Sequence, residues 1–183
     1  MNLTRIFRGA DPFLMKHGGK YYIYCTTENI EKLESPSAFK TDKDGKDGFY
    51  VYQSEDLIHW ENKGLCLSKN DVAGEKWFWA PEVSYYKGKF YMVYTAQEHL
   101  AVAVSDNPTG PFKKYEYNPI LKKKGNVIGV GHNSYMPTND ENRFICAYHC
   151  HSGNPDNFKP RMVCLCEAAF EKNNDIDRLR IYY

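Results

Sequence analysis

One strand-pair pattern occurs three times in this chain, and few folds accommodate such a repeat. "ADPFLMKHGGKYYIYCTTE" (10–28), "APEVSYYKGKFYMVYTAQE" (80–98) and "GHNSYMPTNDENRFICAYHCHS" (131–152) share one plan. A short extended run leads into a Lys/Gly or Asn/Asp turn, and an aromatic-rich run returns. A third extended run follows each pair: "GFYVYQSEDLIHW", "HLAVAVSDNP" and "RMVCLCEAAFE". Shorter fourth runs follow at "GLCLS", "FKKYEY" and "RLRIYY". The apolar spacing is nearer two than 3.6, and the runs are too short and too turn-punctuated for helices. The pattern predicts an all-β chain, a β-propeller with three four-stranded blades. A two-sheet sandwich built from the same hairpins is the alternative.

The blades are expected over about 8–70, 76–118 and 126–183 of one domain. The polar stretch 28–48 reads as a loop inserted into the first blade. With 183 residues the chain can bury a sizeable core. Its 15 Tyr and 10 Phe suit pleated, half-buried surfaces. Lys+Arg 24 against Asp+Glu 23 gives a net charge of +1, too little to steer nucleic acid or an anionic membrane. The N-terminal segment lacks the apolar stretch of a signal peptide, and no run reaches membrane-spanning length, so a cytoplasmic location is the expectation.

Six cysteines are spread over apolar runs with no CxxC knuckle. Cys164 and Cys166 alternate as residues on one strand face do, so reduced thiols are expected rather than a zinc site.

Read in order, "ADPF", "GKYYIYCTT", "YQSEDLIHW", "WFWAPEV", "GKFYMVYTA", "VAVSDNPTGPF", "GHNSYM" and "AYHCHS" resemble glycoside hydrolase family 43 over nearly the whole chain. The resemblance implies a five-bladed propeller whose inner strands open on one channel mouth. It implies inverting hydrolysis of α-L-arabinofuranosides or β-D-xylosides, with Asp11 as the general base that activates water. The alternative for Asp11 is an Asx-Pro turn.

The same comparison exposes a departure. Inversion needs a second, protonated carboxyl across the scissile bond. The family carries that Glu in its fourth blade, after an Asp in its third, and neither segment is present between "NPTGPFKKYEYNPIL" and "GNVIGVGHNSYM". Glu82 of "WAPEV" is the best remaining acid, since an aromatic-lined pocket can raise a carboxyl pKa. Trp77 and Trp79 are candidate sugar-stacking faces, while one aromatic of "WFW" packs between blades. His132 and Arg161 correspond to substrate-facing positions of the last blade. No cofactor is required, although the position of His132, with Asn133, is one that approaches a channel calcium in some members. Trp60 is expected in a blade core.

Three functions remain open on the sequence: a small glycosidase, a carbohydrate-binding propeller that has lost its acid, and a folded remnant. Three blades should leave two open faces bearing residues of "YYIYC" and "FICAYHC". Exposed apolar surface of that kind commonly marks an interface, so a homodimer is expected.

Overall fold

A computed structural model describes residues 9–26, 48–72, 78–125, 127–152 and 160–183. The expected insertion at 28–48 and Trp77 lie outside the described residues, except that Gly48 opens a strand. The described chain is all-β, three four-stranded antiparallel sheets of consecutive strands.

The first blade runs β1 (Ala10–His17), β2 (Lys20–Thr26), β3 (Gly48–Ser54) and β4 (Glu61–Ser68). A single 3-10 turn, Lys69–Asp71, follows, with the Ser68 hydroxyl accepting from Asn70 N–H. The second blade comprises β5 (Trp79–Tyr86), β6 (Lys89–Ala96), β7 (His99–Ser105) and the two-residue β8 (Lys113–Lys114). The third comprises β9 (Val127–Pro137), β10 (Arg143–Ser152), β11 (Arg161–Glu171) and β12 (Arg178–Tyr182). In each blade the strands are hydrogen-bonded in chain order. Among the described residues no helix is long and apolar enough to cross a membrane.

Strand alternation distributes the core. On β6, Phe90, Met92 and Tyr94 join Met15, Tyr22, Tyr24, Phe49 and Leu67 in the cluster shared with the first blade. The intervening Tyr91 and Val93 face the other way, toward Cys146, Tyr148, Ala168 and Phe170 of the third. The second blade is therefore apolar on both faces, and its strands read as nearly continuous hydrophobic runs.

Polar contacts fix each seam. Tyr24 donates its hydroxyl to the Pro108 carbonyl at 2.6 Å, and Phe112 N–H donates to the Cys66 carbonyl at 2.7 Å. Gly110 is required between them: at φ +80° a Cβ there would stand 2.5 Å from the Cys66 oxygen. Across the other seam Tyr86 stacks on Phe170 with centroids 3.9 Å apart, and Tyr115 donates to the Asp177 carbonyl while accepting from Leu179 N–H.

Two expectations need correction. Trp60 is half-buried and belongs to neither core cluster. It sits at the β3–β4 turn, where its indole N–H donates to the Leu57 carbonyl. The segments "YYIYC" and "FICAYHC" do not lie whole on open faces either. Tyr22, Tyr24, Cys146, Tyr148 and Cys150 are buried between blades, whereas Ile23, Ile145 and Ala147 alternate to the outer sides. The outer side of the third blade is the more apolar. Val163 and Leu165, opposite His149 and Ala147, are 81% and 70% exposed, and Met136 opposite Ile145 is 61% exposed.

These two environments give a direct test by urea unfolding. Leu100→Ala, at a fully buried seam position, is expected to cost about 2–5 kcal/mol. Leu165→Ala, on the open face, is expected to stay within about 0.5 kcal/mol of the parent chain at concentrations where both are monomeric.

Candidate functional site

The inner strand of each blade carries a β-bulge, and three of these bulges build the mouth; β9 has a further register shift between Ile128 and Gly131. On β1 the register shifts between Ala10 and Phe13, on β5 between Trp79 and Glu82, and on β9 at His132, which has no partner between the Gly131–His149 and Asn133–Tyr148 pairs. The bulges place Asp11 (φ 48°), Ala80 (φ 50°) and His132 (φ 41°) in the left-handed region. Such conformations cost of order 1–3 kcal/mol each for non-glycine residues and re-aim a side chain out of the strand pleat. Pro12 and Pro81 come next. Having no N–H, neither leaves an orphan donor where the ladder is interrupted.

Structural equivalence therefore runs Asp11, Ala80, His132. The second-blade counterpart of Asp11 is Ala80, and Glu82 lies two residues further along β5. His132 is the sixth residue of β9. The bulges, rather than the strand starts, set the convergence.

Asp11 and His132 do meet. The imidazole Nδ1 of His132 lies 3.7 Å from Asp11 Oδ1, with both side chains partly exposed. Asp11 Oδ2 accepts a hydrogen bond from the Thr26 hydroxyl at 2.8 Å. That same oxygen, Thr26 Oγ1, accepts from Ala80 N–H at 2.8 Å. Thr95, the counterpart of Thr26 in the second blade, accepts from His132 N–H at 3.0 Å. Each hydroxyl thus holds the bulge of the following blade.

In the third blade the counterpart position is His149, opposite Gly131. Burial first, then the charges of Arg161, His132 and His151, push its pKa down to about 4, so it is neutral at pH 7. Arg161 opens β11 directly opposite His151, and both lie on the open side of the blade. Gly129, at φ +59°, makes room for that histidine, since a Cβ would stand 2.4 Å from His151 Cδ2. The sequence reading missed Thr26, Thr95, His149 and His151. Only the glycines of "VIGVGHNS", facing the histidines of "AYHCHS", hinted at close ring–backbone contact.

Glu82 lies two residues past its bulge, in the seam between the second and third blades. Its Oε1 accepts from Tyr135 N–H at 3.2 Å. Burial pushes its pKa up to about 7, against the opposing pull of that backbone N–H. Trp79 is half-buried beside its bulge, opposite Thr95, and Phe78 enters the interblade core.

The residues do not fit a calcium-like ion, which takes six to eight oxygen ligands. His132 faces one carboxylate, and Asn133 is buried with neither amide atom hydrogen-bonded, one residue out of phase with the mouth. Among the described residues no group of three or more His, Cys, Asp or Glu is placed to hold a metal.

Glu82 makes folding stability pH-dependent. The folded chain keeps its proton between about pH 4.5 and 7, where the unfolded chain has released it. Unfolding in that window releases a proton, so stability falls as pH rises through it. Glu82→Gln keeps the Tyr135 hydrogen bond and removes the titration. Relative to the parent, the variant is expected to gain about 1–3 kcal/mol between pH 4.5 and 8 in urea unfolding.

Comparison with known proteins bears on what this mouth is for. The glycosyl hydrolases family 43 profile matches residues 5–115, more than half of the chain. A xylosidase/arabinosidase of Bacteroides ovatus is 34% identical over 123 residues, 61% of this chain and 36% of that protein. An arabinoxylan arabinofuranohydrolase of Paenibacillus polymyxa is 27% identical over 57% of this chain and 19% of its own length. The chain thus spans from about a fifth to little more than a third of the curated relatives it matches. In fold it is similar to an α-L-arabinofuranosidase of Clostridium thermocellum, with TM-score 0.61 at 18% identity over 94% of this chain and 67% of that one. The three-bladed chain, with Asp11 at its first bulge, belongs to glycosyl hydrolases family 43.

Proposed function

We propose that this chain acts on arabinose- or xylose-containing glycans, with Asp11 as the general base of an inverting hydrolysis. The observation that carries the proposal is the setting of Asp11. A strained bulge turns its carboxylate into the mouth, Thr26 holds one oxygen, and the other faces His132. In the reaction Asp11 accepts a proton from a water whose oxygen attacks the anomeric carbon. The glycosidic oxygen leaves with that bond's electrons and takes a proton from an acid. Glu82 is assigned as that acid, because burial keeps it protonated up to about pH 7. Trp79 and Arg161, with Trp77, supply the sugar-contacting surface.

The second reading is a binding propeller without turnover. It is favoured by the position of Glu82 in a seam rather than at a bulge, and by Ala80 standing where a second mouth carboxylate would be. The homodimer expected from the sequence belongs to this proposal: the exposed row Met136, Val163 and Leu165 is the surface a second copy would cover.

Hydrolysis of 4-nitrophenyl α-L-arabinofuranoside and β-D-xyloside separates the readings. Asp11→Asn is expected to lower kcat at least about 100-fold, and Glu82→Gln to act most strongly on substrates with poor leaving groups. Saturable binding of arabino- or xylo-oligosaccharides with no hydrolysis by the parent chain would establish the binding module instead. Light scattering at micromolar concentration reads the assembly, and a stable mass near 21.3 kDa would refute the dimer.

A further inference from the structure

We propose that Thr26 is a positioning residue for Asp11, holding the carboxylate through a hydrogen bond whose direction the neighbouring blade dictates. The inference rests on the reading of Asp11 as base. A threonine hydroxyl has one proton and two acceptor sites. Ala80 N–H can only donate, and it occupies one acceptor site of Thr26 Oγ1 at 2.8 Å. The hydroxyl proton is therefore directed to Asp11 Oδ2, also at 2.8 Å, where an ionised carboxylate can only accept. Backbone of the second blade thereby sets the donor that orients a side chain of the first. Oδ1, on the His132 side, is left as the oxygen that takes the proton from water.

Thr95 shows that the two bonds are separable. It receives His132 N–H in the same way, but the second-blade bulge presents Ala80 and no carboxylate to take its proton. Holding the next blade requires only the accepting half of the hydroxyl. In Thr26 the donating half is used as well, on the residue assigned to catalysis. Thr26 also lies directly across the strand pair from Ala10, the residue before the bulge, so its reach to Asp11 is set by register rather than by a loop.

The test compares Thr26→Val, which keeps the shape and removes the hydroxyl, with Thr26→Ser, which restores it. On the 4-nitrophenyl glycosides Thr26→Val is expected to lower kcat about 10–100-fold, the scale of a lost hydrogen bond to a charged group, with KM changed less than about twofold. Thr26→Ser is expected to recover kcat to within about threefold of the parent. An unchanged kcat in Thr26→Val, or no recovery in a folded Thr26→Ser, overturns the proposal.

A second readout needs neither turnover nor a folded valine variant. In 13C-labelled parent chain the Thr26 hydroxyl proton should exchange slowly and show coupling across the hydrogen bond to the Asp11 carboxyl carbon. Absence of that coupling overturns the proposal even if the chain hydrolyses nothing. Hydrolysis surviving in Asp11→Asn would instead remove the base assignment and leave the observed hydrogen bond standing, so the two failures are distinguishable.

Discussion

The second blade is buried on both sides, and the rest of the molecule takes its position from that burial. Along β6, neighbouring side chains belong to different cores: Phe90, Met92 and Tyr94 to the seam with the first blade, Tyr91 and Val93 to the seam with the third. Because the side-chain period of a strand is two, a register slip of one residue would exchange these sets and empty both seams. The rings of Tyr24, Phe49, Phe90, Tyr91, Tyr94 and Phe112 are the largest fully buried side chains, and their packing resists such a slip. Among the described residues the core clusters of the flanking blades are those they share with the second, so the second blade works as the keystone of an arc.

The mouth is a consequence of how such blades stack. Sheets packed face to face around a common axis bring equivalent points of their inner strands together. A bulge at that point in all three blades turns one side chain per blade out of the pleat. Two of these, Asp11 and His132, bear ionisable groups that approach each other, and the third, Ala80, contributes its backbone N–H to Thr26. Left-handed backbone at non-glycine residues is tolerated here because hydroxyls on adjacent strands satisfy the freed amides of Ala80 and His132. The strain is thus balanced by interblade hydrogen bonds, and the geometry of Asp11 depends on the integrity of the first seam.

The electrostatics of the two carboxyls differ for the same structural reason. Asp11 is presented to solvent at the mouth, with a hydroxyl donor on one oxygen and an imidazole near the other. Glu82 is drawn into the seam, where burial outweighs a single backbone N–H and keeps it protonated to higher pH. Two carboxyls with opposed environments are what acid–base chemistry requires. Here they sit at different depths of the structure, one at a bulge and one in a seam, which is why hydrolysis and simple binding are both read from this chain.

Much of this was legible in the residues alone. Period-two patterning and three recurrent hairpins determined an all-β chain of four-stranded blades. The ordered motifs singled out Asp11, Glu82, His132 and Arg161. Alternation also decides which half of "FICAYHC" is buried, although assigning inside and outside needed the neighbouring blade. Thr26 could not be found that way: it is 54 residues from Ala80 in the chain, and its two hydrogen bonds exist only once two blades are docked. The same holds for the equivalence of Asp11 with Ala80 rather than Glu82, since a bulge is a property of strand pairing and not of one strand's composition. Local sequence determines which face of each strand is apolar, because that follows from side-chain alternation. Which side chains meet across a seam, and which carboxyl loses its water there, is decided only when separate sheets pack, because desolvation and interblade hydrogen bonds have no counterpart within a single strand.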